Sequence, residues 1–103
     1  MQRRPFFGWL ALPALPAGAT GVLHEVAIRA MQFEPAELTV QAGDTVRWVN
    51  REKRTSHSLL FADAPESERL LPDEAWERRF DAPGSYPYRC GPHPEMTGQV
   101  RVL

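Results

Sequence analysis

The sequence predicts an all-β fold, a Greek-key β-sandwich of about seven or eight short strands with little helix. Three observations carry this. Apolar and polar residues alternate with a period of two in several short stretches. Turn-forming residues separate those stretches at regular intervals, as in a sandwich. The chain has 103 residues, of which 43% are apolar, and this suits one small domain.

The elements follow in order. Val22, His24, Val26 and Ile28 alternate with Leu23, Glu25, Ala27 and Arg29, which predicts a first strand. Phe33-Glu34-Pro35-Ala36 reads as a turn. Leu38-Thr39-Val40 is a second strand, ended by Ala42-Gly43-Asp44. Thr45–Asn50 is the clearest strand, with Val46 and Trp48 on one face. A polar loop, Arg51–Ser56, leads into His57-Ser58-Leu59-Leu60-Phe61, which returns to strand character. Residues 62–74 are rich in acids and proline and read as a solvated loop, with a short helical turn near Glu66–Leu70. Ala75–Phe80 is a further strand, and Asp81-Ala82-Pro83-Gly84 is a strong turn. Ser85–Arg89 carries Tyr86 and Tyr88 on one face, and Gln99–Leu103 closes the chain.

Residues 1–19 stand apart from the domain expected over 20–103. Arg3 and Arg4 precede a short apolar run, and Ala17-Gly18-Ala19 matches the small-residue exit of a secretory signal. The run is shorter than the roughly 20 residues a membrane span needs, and Pro13 and Pro16 interrupt it. The expected location is therefore periplasmic, and the paired arginines admit the twin-arginine export route. Losing this segment removes two basic residues and no acid, which leaves a modest acidic excess. No long basic run occurs, so nucleic acid is not an expected partner.

The chain has one Cys, three His and three Met. A lone cysteine in an exported domain cannot form an internal disulfide, and a bound metal would protect it. Cys90-Gly91-Pro92-His93-Pro94-Glu95-Met96 places a thiol, an imidazole and a thioether three residues apart. With His57 upstream, this is the ligand set of a type-1 copper electron-transfer site. Cys90, His57 and His93 supply the close ligands, and Met96 a weak axial sulfur. Pro92 and Pro94 fix two φ angles in the loop. Pro94 also lacks an N–H and so cannot donate a hydrogen bond to the thiolate. Ser58 and Asn50 are candidate polar neighbours of the site. His24 has no partner motif and reads as structural or surface. Trp48, Trp76, Phe33, Phe61, Tyr86 and Tyr88 read as sandwich core.

On these residues the chain resembles a cupredoxin. Phe33–Asn50 is similar to the family's central strand pair, and Tyr86–Met96 to its ligand loop. The two-residue gaps on either side of His93 resemble the amicyanin and pseudoazurin group, and His93-Pro94 leans toward amicyanin. The resemblance spans roughly residues 24–103. It implies one copper ion and a periplasmic one-electron carrier. Two positions depart from the pattern. Ser58 stands where the family often has Asn, and Glu95 stands beside Met96 where relatives often carry an apolar or small residue.

The expected function is electron shuttling between transient donor and acceptor proteins by a monomer with no membrane span and no enzymatic activity. The exposed edge of His93 is the expected exit for the electron. The alternative is a periplasmic copper carrier or chaperone. Few Met or His are left over for that role, and a multicopper enzyme would need additional histidines. The acidic stretch 63–74 is either a solvated loop or a docking patch for a basic partner.

Overall fold

The computed structural model describes residues 21–103. The export segment expected over residues 1–19 lies outside the described residues. Eight strands form two sheets. They are β1 (Leu23–Arg29), β2 (Gln32–Glu34), β3 (Glu37–Val40), β4 (Asp44–Asn50), β5 (Leu60–Phe61), β6 (Ala75–Phe80), β7 (Gly84–Arg89) and β8 (Thr97–Val102). One sheet has the order β2-β1-β4-β6 and the other β3-β8-β7-β5. The predicted all-β sandwich is thus observed, with no helix among the described residues.

Each sheet contains one parallel pair. β1 lies parallel to β4, from Leu23 opposite Thr45 to Ile28 opposite Asn50. β3 lies parallel to β8, from Glu37 opposite Gln99 to Val40 opposite Val102. The remaining pairs are antiparallel. Alternation buries Val26 and Ile28 of β1, Val46 and Trp48 of β4, Tyr88 of β7, and Val100 and Val102 of β8. These side chains meet between the sheets in one core.

Trp48 sits at the centre of that core and is fully buried. Its ring lies 5.3 Å from that of Tyr88, edge to face, and 5.6 Å from that of Trp76. The indole Nε1–H donates to the Tyr88 hydroxyl at 3.0 Å, which joins β4 of one sheet to β7 of the other. Burial pushes the Tyr88 pKa up to about 12, against a smaller lowering by the Trp48 hydrogen bond, so the phenol stays neutral. Gly98 faces this ring across the β7–β8 pair. A Cβ there would run into Tyr88, so the close approach requires glycine.

Three local expectations are corrected. Phe33 is not in a turn: it lies in β2, buried, with its ring 4.8 Å from that of Tyr88. The turn begins after Glu34, because burying the Phe33 ring outweighs the turn signal of its neighbours. β2 folds back on β1 through Ala30 and Met31, whose φ angles are 53° and 57°. Positive φ at both central residues is the geometry a two-residue hairpin demands.

The second correction is that His57–Phe61 is not a continuous strand: only Leu60–Phe61 joins the sheet. The third is that Glu66–Leu70 forms no helical turn. These two segments instead hydrogen-bond to each other. His57 and Leu70 exchange N–H···O bonds of 3.1 and 2.7 Å. Ser67 N donates to Leu59 O, and Leu59 N to Ser67 Oγ, both at 2.9 Å. Leu70 enters the core, so the 62–74 stretch is only partly a solvated loop. Asp63 anchors its start through two bonds from Arg78, at 3.0 and 2.7 Å. That guanidinium also lies 4.7 Å from the ring centroids of both Phe61 and Phe80.

Asp44 opens β4 and organises the end of the sandwich away from these loops. Its carboxylate accepts from Val22 N at 2.9 Å and Gln41 N at 3.0 Å, and lies 2.9 Å from His24 Nε2. His24 is therefore structural, the first of the two roles its sequence context allows. The hydrogen bonds, led by that from Val22, hold the Asp44 pKa down to about 2. The folded protein stays ionised where the unfolded chain takes up a proton. The stabilisation is therefore complete above about pH 4 and is lost as pH falls toward about 2. Asp44→Asn is expected to lower the melting temperature at neutral pH. Melts of both proteins down to strongly acidic pH should show the gap closing across that window.

Candidate metal centre

The loop after β7 is closed at its base by its own backbone. Cys90 N donates to Met96 O at 3.0 Å, and Met96 N donates to His93 O at 2.9 Å. The first and last residues of the seven-residue motif therefore stand side by side where β8 begins. The Arg89 guanidinium donates to the carbonyls of Cys90 and Gly91, each at 3.0 Å. Cys90 is fully buried and Met96 nearly so, whereas Pro92, Pro94 and Glu95 are exposed.

His57 reaches the loop from the segment paired with Leu70. Cys90 Sγ lies 3.6 Å from His57 Nδ1 and 3.4 Å from His93 Nδ1. One donor atom from each of the three residues falls within 4.8 Å of the other two. The histidine rings are 5.1 Å apart between centroids. His57 is fully buried and His93 only half-buried, so one face of the cluster reaches solvent through His93.

Burial, helped by the nearby His93, pulls the His57 pKa below its usual value, and Glu52 opposes this. A neutral imidazole keeps the lone pair that a metal needs. The donor set fits a soft or borderline ion. It offers one sulfur and two ring nitrogens in a buried place, and no carboxylate oxygen joins the cluster.

The polar neighbours differ in what they reach. Ser58 is fully buried, and its N–H donates to Cys90 Sγ at 3.5 Å. Its hydroxyl accepts from Gly91 N at 3.1 Å and donates to Glu66 Oε2 at 2.6 Å. Asn50 does not touch the cluster by hydrogen bond. Its amide donates to Thr55 O and Leu70 O, both at 2.9 Å, and its oxygen accepts from Glu52 N at 2.9 Å. It shapes the loop that delivers His57. Pro94 lies at the exposed rim.

Glu52 and Glu66 stand out in the structure but not in the sequence. Glu52 accepts from Ala30 N and Met31 N, both at 3.1 Å, at the positive-φ hairpin. The same carboxylate faces His57 Nε2 at 3.6 Å, on the far side of the ring from Cys90. Nε2 is buried and makes no hydrogen bond, so Glu52 supplies its only nearby charge compensation among the described residues. Neither acid sits in a motif; Glu52 bonds to amides more than twenty residues away, and Glu66 to a hydroxyl eight residues away.

Comparison with known proteins decides which ion the cluster serves. The family described as copper binding proteins of the plastocyanin/azurin type matches residues 20–103. The chain belongs to this family. This cupredoxin is 37% identical over 98 residues to amicyanin-alpha of Methylorubrum extorquens, covering 89% of this chain and 78% of the relative. It is 40% identical over 83 residues to the amicyanin of Paracoccus versutus, covering 75% of this chain and 62% of the relative. It thus spans about three-fifths of that second protein's length. A plastocyanin of Tetradesmus obliquus is 36% identical over 103 residues, covering 86% and 70%. Among solved structures, a methionine-to-alanine variant of amicyanin with Cu(I) superposes with a TM-score of 0.75 at 34% identity, covering 79% of this chain and 82% of that one. The expected resemblance to amicyanin is borne out, and the cofactor is one copper ion.

Glu52→Ala should loosen both features that the carboxylate holds. The two hairpin amides can be rehydrated, so the loss of stability is expected to be about 1 kcal/mol or less. Copper affinity should fall by roughly 10- to 100-fold, as for other residues that support a ligand from behind. A denaturation curve of the copper-free protein and a competition titration with a chelator check the two effects separately.

Proposed function

We propose that this cupredoxin is a periplasmic one-electron carrier working between two redox proteins. The observation that carries this reading is the convergence of Cys90 Sγ with Nδ1 of His57 and His93 in a buried cluster without carboxylates. Copper would be held by His57, Cys90 and His93, with Met96 as a further, weaker sulfur ligand. When bound, copper supplies a one-electron couple between its two oxidation states.

The chain's own residues supply rigidity and access. His57 is fixed by its paired backbone bonds to Leu70, and Cys90 by its bond to Met96 O. A cluster held this firmly changes little between oxidation states, which favours fast transfer. The core excludes water from Cys90 and His57. His93 alone of the three presents an edge to solvent, flanked by Pro92 and Pro94, and this is where a partner protein can approach. Amicyanin structures in the Cu(I) and oxidized states support the same reading.

The expected partners are transient, with the small interfaces typical of redox encounters. The protein acts as a monomer and is not an enzyme. Residues 1–19 are assigned as its export signal. The alternative, a copper chaperone, needs ready access to the metal. The burial of Cys90 and His57 counts against it.

The test is visible absorption and electron-spin resonance after adding Cu(II), followed by voltammetry. The expected result is an intense thiolate-to-copper band, a small copper hyperfine splitting and reversible one-electron cycling, with the band abolished in Cys90→Ser. Ordinary tetragonal copper signals that Cys90→Ser leaves unchanged would overturn the reading. Rapid loss of copper to a mild chelator would support the chaperone instead.

A further inference from the structure

We propose that Glu66 is a positioning residue for the copper loop, acting through the Ser58 hydroxyl on the Gly91 amide. The proposal rests on the copper-site reading above.

Ser58 has a single hydroxyl proton and two lone pairs. Its oxygen accepts from Gly91 N at 3.1 Å, so the proton must go elsewhere. It goes to Glu66 Oε2 at 2.6 Å, a short bond of the charge-assisted kind. The Glu66 carboxylate thereby fixes the rotor and keeps a lone pair aimed at Gly91. Without it, a fully buried hydroxyl could turn its proton toward the Gly91 amide and lose the bond.

Ser58 also donates its own N–H to Cys90 Sγ at 3.5 Å. One residue therefore grips two successive residues of the loop, next to His57. Glu66 is carried to this point by Ser67, whose backbone and hydroxyl both bond to Leu59. The 66–70 segment is thus a strap that reaches the metal loop through one carboxylate.

Gly91 completes the arrangement. A Cβ there would collide with both Glu66 Oε2 and Ser58 Oγ. The carboxylate occupies the space where a side chain of residue 91 would lie. Gly91 φ is not in the left-handed region, so glycine serves here to make room and not to allow an unusual backbone.

The experiment compares the wild-type chain with Glu66→Ala, Glu66→Gln, Ser58→Ala and the double variant Glu66→Ala/Ser58→Ala. Hydrogen exchange of the Gly91 amide is followed by NMR in the copper-free proteins. Copper release to a chelator and the electron-spin resonance spectrum are followed in the loaded ones. Glu66→Ala is expected to speed Gly91 exchange and copper release by about tenfold or more, and to change the hyperfine splitting. Glu66→Gln keeps an acceptor for the Ser58 proton and should recover much of the wild-type behaviour. The double variant should be little worse than either single one, because both break the same chain of bonds. Wild-type rates of exchange and release in a folded Glu66→Ala protein would overturn the proposal. A wild-type protein without type-1 copper signals would overturn the copper reading, and the Gly91 exchange rates would still decide whether Glu66 holds the loop.

Discussion

The hydrogen bond from the Trp48 indole to the Tyr88 hydroxyl ties the two sheets together at their centre. Strand periodicity carries its consequence to the end of the sandwich. Asn50 lies two residues beyond Trp48, and Cys90 two residues beyond Tyr88, so each faces the same way as its aromatic neighbour. Fixing the aromatic pair therefore fixes where Asn50 and Cys90 emerge. Asn50 then bonds to Leu70, and Leu70 pairs with His57. The buried thiol and the buried imidazole thus take their places from one polar contact inside an apolar core.

Charge is placed around the copper cluster with similar economy. Glu52 faces the outer nitrogen of His57, and Glu66 ends at Ser58. Each carboxylate stays behind a residue that meets the sulfur, His57 through its ring and Ser58 through its backbone N–H, and neither enters the donor set. A hard oxygen ligand would draw the site toward other ions and geometries. Held one residue back, the acids can compensate the histidine and the hydroxyl while the cluster keeps its sulfur and nitrogen character.

Much of this was legible in the sequence, for identifiable reasons. The alternation in Thr45–Asn50 and Ser85–Arg89 is strong because these strands each bury one face in the sandwich core. The grouping of His57, Cys90 and His93 could be inferred because a lone cysteine three residues before a histidine is chemically conspicuous. Phe33 was misplaced because Pro35 suggests a turn, whereas the ring's partner, Tyr88, lies far along the chain. The 66–70 strap was hidden among acids, since its order comes from Leu59 and His57 and not from any local preference. Glu52 and Glu66 left no signal because an acid in a polar loop looks solvated until its partner in the fold is known.

The parallel pairings of β1 with β4 and of β3 with β8 bear on how the protein comes to hold its metal. Parallel neighbours cannot be joined by a tight hairpin, so each pairing awaits a long stretch of intervening chain. Contacts of this kind form slowly, because long loops must close before any stabilisation is gained. β8 follows the Cys90–Met96 loop directly, and His57 lies more than thirty residues earlier. In an unfolded chain only Cys90, His93 and Met96 are kept close together by sequence, within seven residues. The complete cluster, with His57 beside Cys90 and His93, is seen in the folded arrangement. The full set of donors is thus a property of the folded chain, because His57 joins the loop only through contacts between distant segments.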